Sequence, residues 1–455
     1  MQPPIKFKIV YYQTGYNLTR IKMEKHLIEI SIPEKFRAIN KADIWLDGIT
    51  VVSGINGCGK STLSKLLYQT YKYSIHYNRL ITHGVNERLR PYYDVLNQLF
   101  TLISIHKRQG PVYGTRRWRY LKNLDKADAY LQEVKELCDN FLDEERKLNA
   151  EDESLVTDRT WRIMWTSLDN EGDKDLQSNF DRLQNQMNAI IKEALILSQE
   201  RPCEVLKNKI TDYLRNELPP TIEVSEYGDS FIGFKTKSVA LPHYIQRVIY
   251  IDTPMMLGIG AYEGPENWEE LNNYLKEPLE GNYGGIIRET IQKDILHGEA
   301  VYDDDAIEET LTFKREDGKV FELFDCATGV KSFSILQLLY KNGYLKKDTL
   351  LIVDEPEAHL HPQWVVEYAR LMLLLYKELG VKFFIASHST DMVGALKEIA
   401  PVYGVSDLNF YVAEEADDYS YNYRYLADDV EPIFASFNKS YEKLDYFVSH
   451  GQKKE

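Results

Sequence analysis

The stretch "SGINGCGKST", residues 53–62, decides the fold of this 455-residue chain. Positions 54–61 match the pattern G-x-x-x-x-G-K-[S/T], in which backbone N–H groups surround the phosphates of a nucleotide. The β-branched run "DGITVV" (47–52) precedes the pattern, and "STLSKLLYQTY" (61–71) follows it with helical spacing. A phosphate loop joins a strand to a helix, so these surroundings support the pattern.

Each part of this loop has an expected task in holding ATP. The glycines let the backbone turn around the phosphates, and the positive end of the following helix faces them. We expect Lys60 to bridge the terminal phosphates and the hydroxyl of Ser61 to hold Mg²⁺. The side chain of Cys58 is interpreted as a small filler. The residues predicted to bind the nucleotide are Gly54, Asn56, Gly57, Cys58, Gly59, Lys60, Ser61 and Thr62.

A second informative stretch, "LLIVDEPEAHLHP" (350–362), passes from an apolar run to two adjacent acids, Asp354 and Glu355. Neighbouring carboxylates repel each other, so the pair indicates a nearby cation or reacting water. We expect Asp354 to complete the Mg²⁺ site through water and Glu355 to orient or deprotonate the attacking water. His359 and His361 are interpreted as structural or interface residues, not metal ligands.

Two more stretches test the class of phosphate-loop protein. "CATGVKS" (326–332) opens a helical stretch, and the apolar run "VKFFIASHS" (381–389) ends at His388. The long separation between Lys60 and Asp354 is typical of heads that carry a large insertion. With these motifs the chain resembles ABC-type ATPases, and that resemblance implies Mg²⁺-ATP as the ligand and ATP-dependent association of two heads. By the same resemblance His388 would contact the γ-phosphate, and a signature made of Thr328, Gly329 and Lys331 would contact nucleotide held by another copy.

The form "DEPEAHLHP" (354–362) further resembles ATPases of the overcoming-lysogenization-defect group and their relatives in bacterial anti-phage systems, such as the Septu ATPase. The resemblance covers residues 1–75 and 320–450. It implies an α/β fold of the ABC/SMC-type head: a mixed central sheet flanked by helices, with antiparallel strands near the N-terminus and a mainly helical insertion. The predicted domains are 1–75 and 221–455, which form the head, and the insertion 76–220. No residue is assigned to the glutamine loop of such heads.

The insertion contains two apolar stripes and one basic patch. Stripes within 127–148 and 180–197 have the spacing of an antiparallel helical pair, far shorter than an SMC arm. The segment "HKRQGPVYGTRRWRYLK" (106–122) mixes arginines with aromatic residues, as a nucleic-acid backbone or an acidic protein partner would require. The same mixture of basic and aromatic residues would also occur on a solvent-exposed face or in a contact between subunits.

Composition limits the location and the partners of the chain. A net charge of −15 excludes a protein that is basic throughout, so any contact with nucleic acid has to be local. No apolar run approaches the ~20 residues of a membrane helix, and the start lacks a signal-peptide pattern. The four cysteines lie far apart, which argues against a zinc site or a disulfide framework. We therefore predict a cytoplasmic protein without a membrane anchor.

The sequence thus favours an ATP-binding and ATP-hydrolysing subunit of a bacterial anti-phage complex, which oligomerises and controls an effector. The effector is expected to be a nuclease supplied in trans, because the short segment after His388 leaves no room for a nuclease domain. Two alternatives remain open. One is a stand-alone repair or recombination ATPase stimulated by DNA, and the other is an ATP-gated scaffold with little turnover.

Overall fold

A large mixed sheet organises the molecule. The structure, a computed structural model, describes residues 26–106, 120–149, 153–252, 266–279, 284–303, 310–416 and 419–450. The strands of the large sheet are β1 (Ile28–Ile32), β2 (Ile39–Leu46), β3 (Ile49–Ser53), β4 (Glu223–Glu226), β5 (Asp229–Ile232), β6 (Arg247–Ile251), β10 (Thr349–Asp354), β11 (Lys382–Ser387), β12 (Leu408–Glu415) and β13 (Tyr421–Tyr425). A small sheet contains β7 (Gly298–Asp303), β8 (Thr310–Arg315) and β9 (Val320–Glu322).

Strand order in the large sheet is β5-β4-β1-β2-β13-β12-β3-β11-β10-β6. The run from β12 through β3, β11 and β10 to β6 is parallel, whereas β1 pairs antiparallel with both β2 and β4. The predicted α/β class, with a mixed sheet and antiparallel strands near the N-terminus, is confirmed. In the small sheet, β8 and β9 form a hairpin that turns at Gly318, which has a φ of 82°.

Helices cover both faces of the large sheet. They are α1 (Lys60–Ile75), α2 (Tyr77–His106), α3 (Ala127–Asn149), α4 (Asp158–Leu168), α5 (Leu176–Glu200), α6 (Cys203–Leu214), α7 (Glu266–Lys276), α8 (Gly285–Glu289), α9 (Thr328–Lys341), α10 (Pro362–Leu379), α11 (Thr390–Tyr403) and α12 (Glu431–His450). A π-helical turn (Thr290–Ile295) follows α8, and short 3₁₀ turns occur at Leu124–Lys126 and Leu323–Asp325. None of the helices in the described ranges is long and apolar enough to cross a membrane.

Two separate cores lie on the two faces, because successive side chains of a strand point to opposite sides. On β10, Leu350 and Ile352 belong to the core that also contains the buried residues of α1 to α6. Leu351 and Val353 belong to the other core, with α7, α9, α10 and α11. A strand buried on both faces explains why the run before Asp354 is continuously apolar.

The insertion is helical, as the stripes predict. Helix α3 packs on α5, where Phe141 and Phe180 meet edge to face with ring centroids 5.9 Å apart. The insertion shares one continuous core with the sheet, since the same buried cluster includes Val52 of β3. It therefore stacks on one face of the head. Most of the basic patch, residues 107–119, lies outside the described residues.

Candidate active site

Three parallel strands bring the sequence motifs to one edge of the sheet. Strand β11 lies between β3 and β10, with Ser53 opposite Ser387 and Asp354 opposite Ala386. The phosphate loop follows β3, and His388 follows β11. Because the carboxyl ends of parallel strands meet at one edge, the phosphate loop, Asp354 and His388 converge there.

The phosphate loop has the backbone that its glycines allow. Gly57 and Gly59 have φ values of 83° and 102°, and a Cβ on Gly59 would come within 2.7 Å of Ile39 Cγ1. Helix α1 begins at the next residue, Lys60. The N–H groups of Thr62 and Leu63 donate to the carbonyl of Gly59 (3.0 and 3.2 Å), which leaves those of Lys60 and Ser61 at the helix N-terminus. The Lys60 ammonium, 5% exposed, donates to the carbonyl oxygens of Gly54 (2.9 Å) and Ile55 (3.0 Å). The loop thus places a cation and free N–H groups together.

The other loop residues divide into buried and exposed ones. Cys58 is buried, and its carbonyl accepts a hydrogen bond of 3.2 Å from the hydroxyl of Tyr423, in keeping with its interpretation as a filler. Burial raises the pKa of that tyrosine well above its usual value. Asn56 and Ser61 are exposed, whereas Thr62 is buried.

Arg37 lies beside the loop and was not found from the sequence. Its guanidinium donates to Thr62 Oγ1 (3.4 Å) and to the carbonyl of Leu214 (3.2 Å). Its backbone is left-handed, with a φ of 55°. A single arginine ahead of β2 carries no pattern of its own, so only the folded chain reveals this neighbour.

Asp354 is a buried carboxylate held by hydroxyl groups. It is 5% exposed and accepts hydrogen bonds from Ser64 Oγ and from the Tyr250 hydroxyl, the latter at 2.8 Å. Burial raises the pKa of Asp354, while hydrogen bonds from Ser64, Tyr250 and Ser61 act in the opposite direction. Among the described residues no lysine or arginine pairs with it. A buried acid without a cationic partner, next to the Ser61 hydroxyl, fits a Mg²⁺ site.

A second carboxylate, Asp252, directly follows the neighbouring strand β6. It accepts a hydrogen bond of 2.6 Å from Trp268 Nε1, and its charge further raises the pKa of Asp354. Asp252 was missed, although "RVIYID" (247–252) repeats the form of "LLIVD" (350–354), an apolar strand that ends in an acid. That repetition was the signal available in the sequence.

Glu355 has a strained backbone at the edge of the sheet. Its φ is 49°, unusual for a residue with a side chain, and its N–H donates to the carbonyl of Ala386 (2.7 Å). The side chain is 41% exposed, and Oε1 lies 3.7 Å from His388 Nδ1. Strain of this kind is kept where the surroundings impose it and is common at active sites. The geometry places a solvent-accessible carboxylate next to Asp354 and His388.

His388 lies beside the carboxylate of Glu357, which the sequence patterns do not single out. Its Nδ1 lies 3.1 Å from Glu357 Oε1, and its backbone N–H donates 2.6 Å to the same oxygen. Contact with Glu357 raises the pKa of His388; Glu355 adds to this, whereas burial and the charge of Lys60 lower it. In the sequence, the third acid of "DEPE" (354–357) was the available signal.

The signature residues lie on the first turn of α9. Gly329 is buried, and a Cβ there would approach ring atoms of Trp364 to 2.6 Å. The Lys331 ammonium lies 4.9 Å from the centroid of the Phe324 ring. In the described ranges, no hydrogen bond or ion pair joins Thr328, Gly329 or Lys331 to the phosphate loop of the same chain. Their contact with the nucleotide of another copy stays a prediction.

The two histidines after Asp354 shape the start of α10. His361 is the N-cap, and its Nδ1 accepts a hydrogen bond of 3.4 Å from the N–H of Gln363. His359 has a left-handed backbone with a φ of 62°. Within the described part of the chain, no group of three or more histidine, cysteine or acidic side chains could hold a metal ion by itself.

The chain resembles several solved head domains, all at low identity. One is the Smc head domain from Pyrococcus furiosus, with an extended coiled coil bound to the C-terminal domain of ScpA. It is 11% identical in sequence, and the alignment covers 92% of this chain and 98% of the Smc chain, with a TM-score of 0.32. The SmcHead bound to the C-winged helix domain of ScpA is 10% identical, with 90% and 98% coverage and a TM-score of 0.31. The Smc head with a coiled coil and joint from Pyrococcus yayanosii is 12% identical, with 84% and 66% coverage and a TM-score of 0.27. Likeness of this degree does not define a shared partner or activity.

No curated protein matches the chain. A family model does: residues 49–392, more than half of the chain, match the family described as "AAA domain, putative AbiEii toxin, Type IV TA system". The matched segment contains the phosphate loop, Asp354 and His388, which the fold brings together at one edge of the sheet. The chain therefore belongs to this AAA-domain family.

Proposed function

We propose that the chain is an ATPase whose active site is the edge formed by β3, β10 and β11. The observation that carries this proposal is the convergence there of Lys60, Asp354, Glu355 and His388. The assignment of individual roles to these residues is part of the proposal.

In this proposal the residues divide the work of phosphoryl transfer. Lys60 exchanges its carbonyl partners for phosphate oxygens, and the N–H groups at the start of α1 contact the same phosphates. Glu355, exposed beside the site, accepts a proton from the attacking water or orients it. His388 contacts the γ-phosphate. Arg37 adds a positive charge beside Thr62.

Mg²⁺ would be held by the Ser61 hydroxyl and by Asp354, directly or through water, and would neutralise charge on the phosphates. Asp354 suits this task because hydroxyl groups, which fix its direction, do not neutralise it. We infer that a divalent cation offsets the burial of this carboxylate.

We further propose that two copies associate when ATP is bound and that this association controls an effector of an anti-phage system, a nuclease acting in trans. The start of α9 supports the association, since its N-cap residue Ala327 provides no side-chain cap and leaves backbone N–H groups for an anion. The sequence resemblance to the overcoming-lysogenization-defect group and the Septu ATPase supports the defence role.

The first test is phosphate release from ATP, with Mg²⁺ and with a chelator, by the wild type and by Asp354→Asn. We expect Mg²⁺-dependent turnover in the wild type and its loss in the variant, while both proteins show the same circular dichroism. Glu367→Gln is the matched control, because Glu367 pairs with Arg370 on α10 and takes no part in the site. Turnover that is insensitive to Asp354→Asn would contradict the assignment of the site.

The same assay separates the two alternatives. Turnover that rises on addition of DNA would favour the repair-type ATPase. Tight ATP binding without turnover would favour the scaffold.

A further inference from the structure

A buried carboxylate, Glu357, follows β10 and contacts the end of the neighbouring strand β11, at Ser387 and at His388 just after it. The Glu357 side chain is 7% exposed. Its Oε1 accepts hydrogen bonds from the Ser387 hydroxyl (2.9 Å) and from the backbone N–H of His388 (2.6 Å), and it lies 3.1 Å from Nδ1 of the same residue. Two hydrogen-bond donors thus converge on one oxygen atom, and Nδ1 of His388 lies within ion-pair distance of it without forming a hydrogen bond among the described residues.

The other oxygen, Glu357 Oε2, is buried and has no hydrogen-bond partner among the described residues. A buried carboxylate that is only half satisfied is costly unless a cation compensates it. The imidazole of His388 is titratable, and its Nδ1 lies 3.1 Å from Glu357 Oε1. The protonated form of this ring therefore stabilises the carboxylate. The carboxylate in turn stabilises the protonated ring.

The surroundings of His388 decide which ring nitrogen is left for a ligand. Nδ1 faces Glu357, an acceptor, and a phosphate oxygen at Nε2 would also be an acceptor. Only the protonated imidazole has donors on both nitrogens. The charged groups that face the ring are Glu357, Glu355 and Lys60.

We propose that Glu357 is a positioning residue for His388: it holds the backbone N–H and places a negative charge 3.1 Å from Nδ1, so that Nε2 is left to donate to the γ-phosphate of ATP. This inference rests on the proposed ATPase function. Glu357 does not contact the nucleotide, and it acts through the orientation and the charge of the imidazole. The structure also fixes the backbone on which the ring is mounted, because Ser387 Oγ accepts from the N–H of Ser389, the N-cap of α11.

The first experiment needs no turnover. Nucleotide-free protein with isotope-labelled histidines is titrated by NMR, and His388→Ala identifies the His388 resonance among the 10 histidines. We expect Glu357→Gln to lower the pKa of His388, because the variant keeps an acceptor and removes the charge. Glu357→Asp, which keeps the charge one methylene group away, should retain a raised pKa. An unchanged pKa in Glu357→Gln would overturn the proposal.

The second experiment measures kcat and KM for ATP. We expect Glu357→Gln to lower kcat by about 10- to 100-fold with little change in KM, as for other residues that orient a functional histidine. Because imidazolium is the active form, activity should be lost as the pH rises through the pKa of His388, and in the variant this loss should begin at a lower pH. Glu367→Gln serves again as the control.

Combining the variants tests whether Glu357 acts through His388. If it does, Glu357→Gln causes no further loss of kcat in a His388→Ala background. Independent, multiplying losses would overturn the proposal. If the wild type shows no ATP turnover, the proposed function fails, while the NMR titration still decides whether Glu357 controls the charge of His388.

Discussion

At the scale of single residues, the candidate site combines groups that the sequence could name with groups that it could not. Lys60, Asp354 and His388 each follow an apolar run within a recognisable motif, so their positions were predictable. Arg37 reaches the site through contacts with Thr62 and with the distant Leu214, which no local pattern encodes. Asp252 was open to prediction, because it follows an apolar strand in the same way as Asp354. Glu357 lies in the quoted motif, but its contacts with Ser387 and His388 depend on the pairing of β10 with β11.

Lys60→Ala should remove nucleotide binding. The ammonium that is held by the carbonyls of Gly54 and Ile55 is the cation expected at the terminal phosphates. A charge-assisted contact is worth about 1.5–3 kcal/mol, so ATP affinity should fall at least about tenfold. Calorimetric titration with Mg²⁺-ATP measures this, with Lys65→Ala on the same helix as the control. Normal affinity in Lys60→Ala would disprove the loop assignment.

Glu355→Gln should stop hydrolysis without weakening ATP binding. Loss of the group that accepts or orients a proton lowers kcat by about 10²- to 10⁴-fold. The amide keeps the size of the side chain, and the backbone hydrogen bond to Ala386 does not depend on it. Single-turnover phosphate release and ATP affinity are the measurements. Hydrolysis at the wild-type rate would remove Glu355 from the catalytic role.

At the scale of elements, the buried parallel strands were the most predictable part of the fold. Strands β3, β6, β10 and β11 are short apolar runs bounded by motifs or turns, and two-sided burial in a parallel sheet produces that composition. The order of the strands was not predictable, because it depends on pairings between the two ends of the chain. The start of α9 shows a second limit. The sequence motif suggests that Gly329 contacts nucleotide, yet in the structure the same glycine packs closely against Trp364.

Gly329→Ala should therefore destabilise the protein even without nucleotide. A Cβ 2.6 Å from the Trp364 ring has to displace α9 or the ring, and overpacking of this kind costs about 1–3 kcal/mol. Gly84→Ala is the matched control, since no atom lies within 4 Å of its Cβ and it is in the interior of α2. That control should gain about 0.5–1 kcal/mol from helix propensity. Urea unfolding measures the free energy of unfolding of both variants. A Gly329→Ala variant as stable as the wild type would show that the Trp364 ring moves aside without cost and would contradict the prediction.

At the scale of the whole molecule, the sheet separates two kinds of surface. One face carries the helical insertion. The other carries α9, where the predicted signature residues lie, together with α10, α11 and α12. The edge with the phosphate loop is shared by both. Binding of a second copy at this edge would cover the phosphate loop of one chain with α9 of the other.

ATP should convert the Glu355→Gln variant into a stable dimer. With hydrolysis blocked, the closed assembly has no route to opening, so the mass measured by light scattering should double on addition of Mg²⁺-ATP. Lys60→Ala in the same buffer should stay monomeric, because it does not bind the nucleotide. A Glu355→Gln protein that binds ATP and remains monomeric would refute the proposed association.

The placement of β3 has a consequence for synthesis of the chain on the ribosome. β3 lies between β11 and β12, so its partners, among them Phe383 and Leu408, are made long after it. Loop closure over such distances is slow, and until it occurs both edges of β3 are unpaired. The nascent N-terminal portion therefore carries the phosphate-binding motif without a sheet to support it. We therefore expect that the chain can bind ATP only after β11 and β12 have been synthesised.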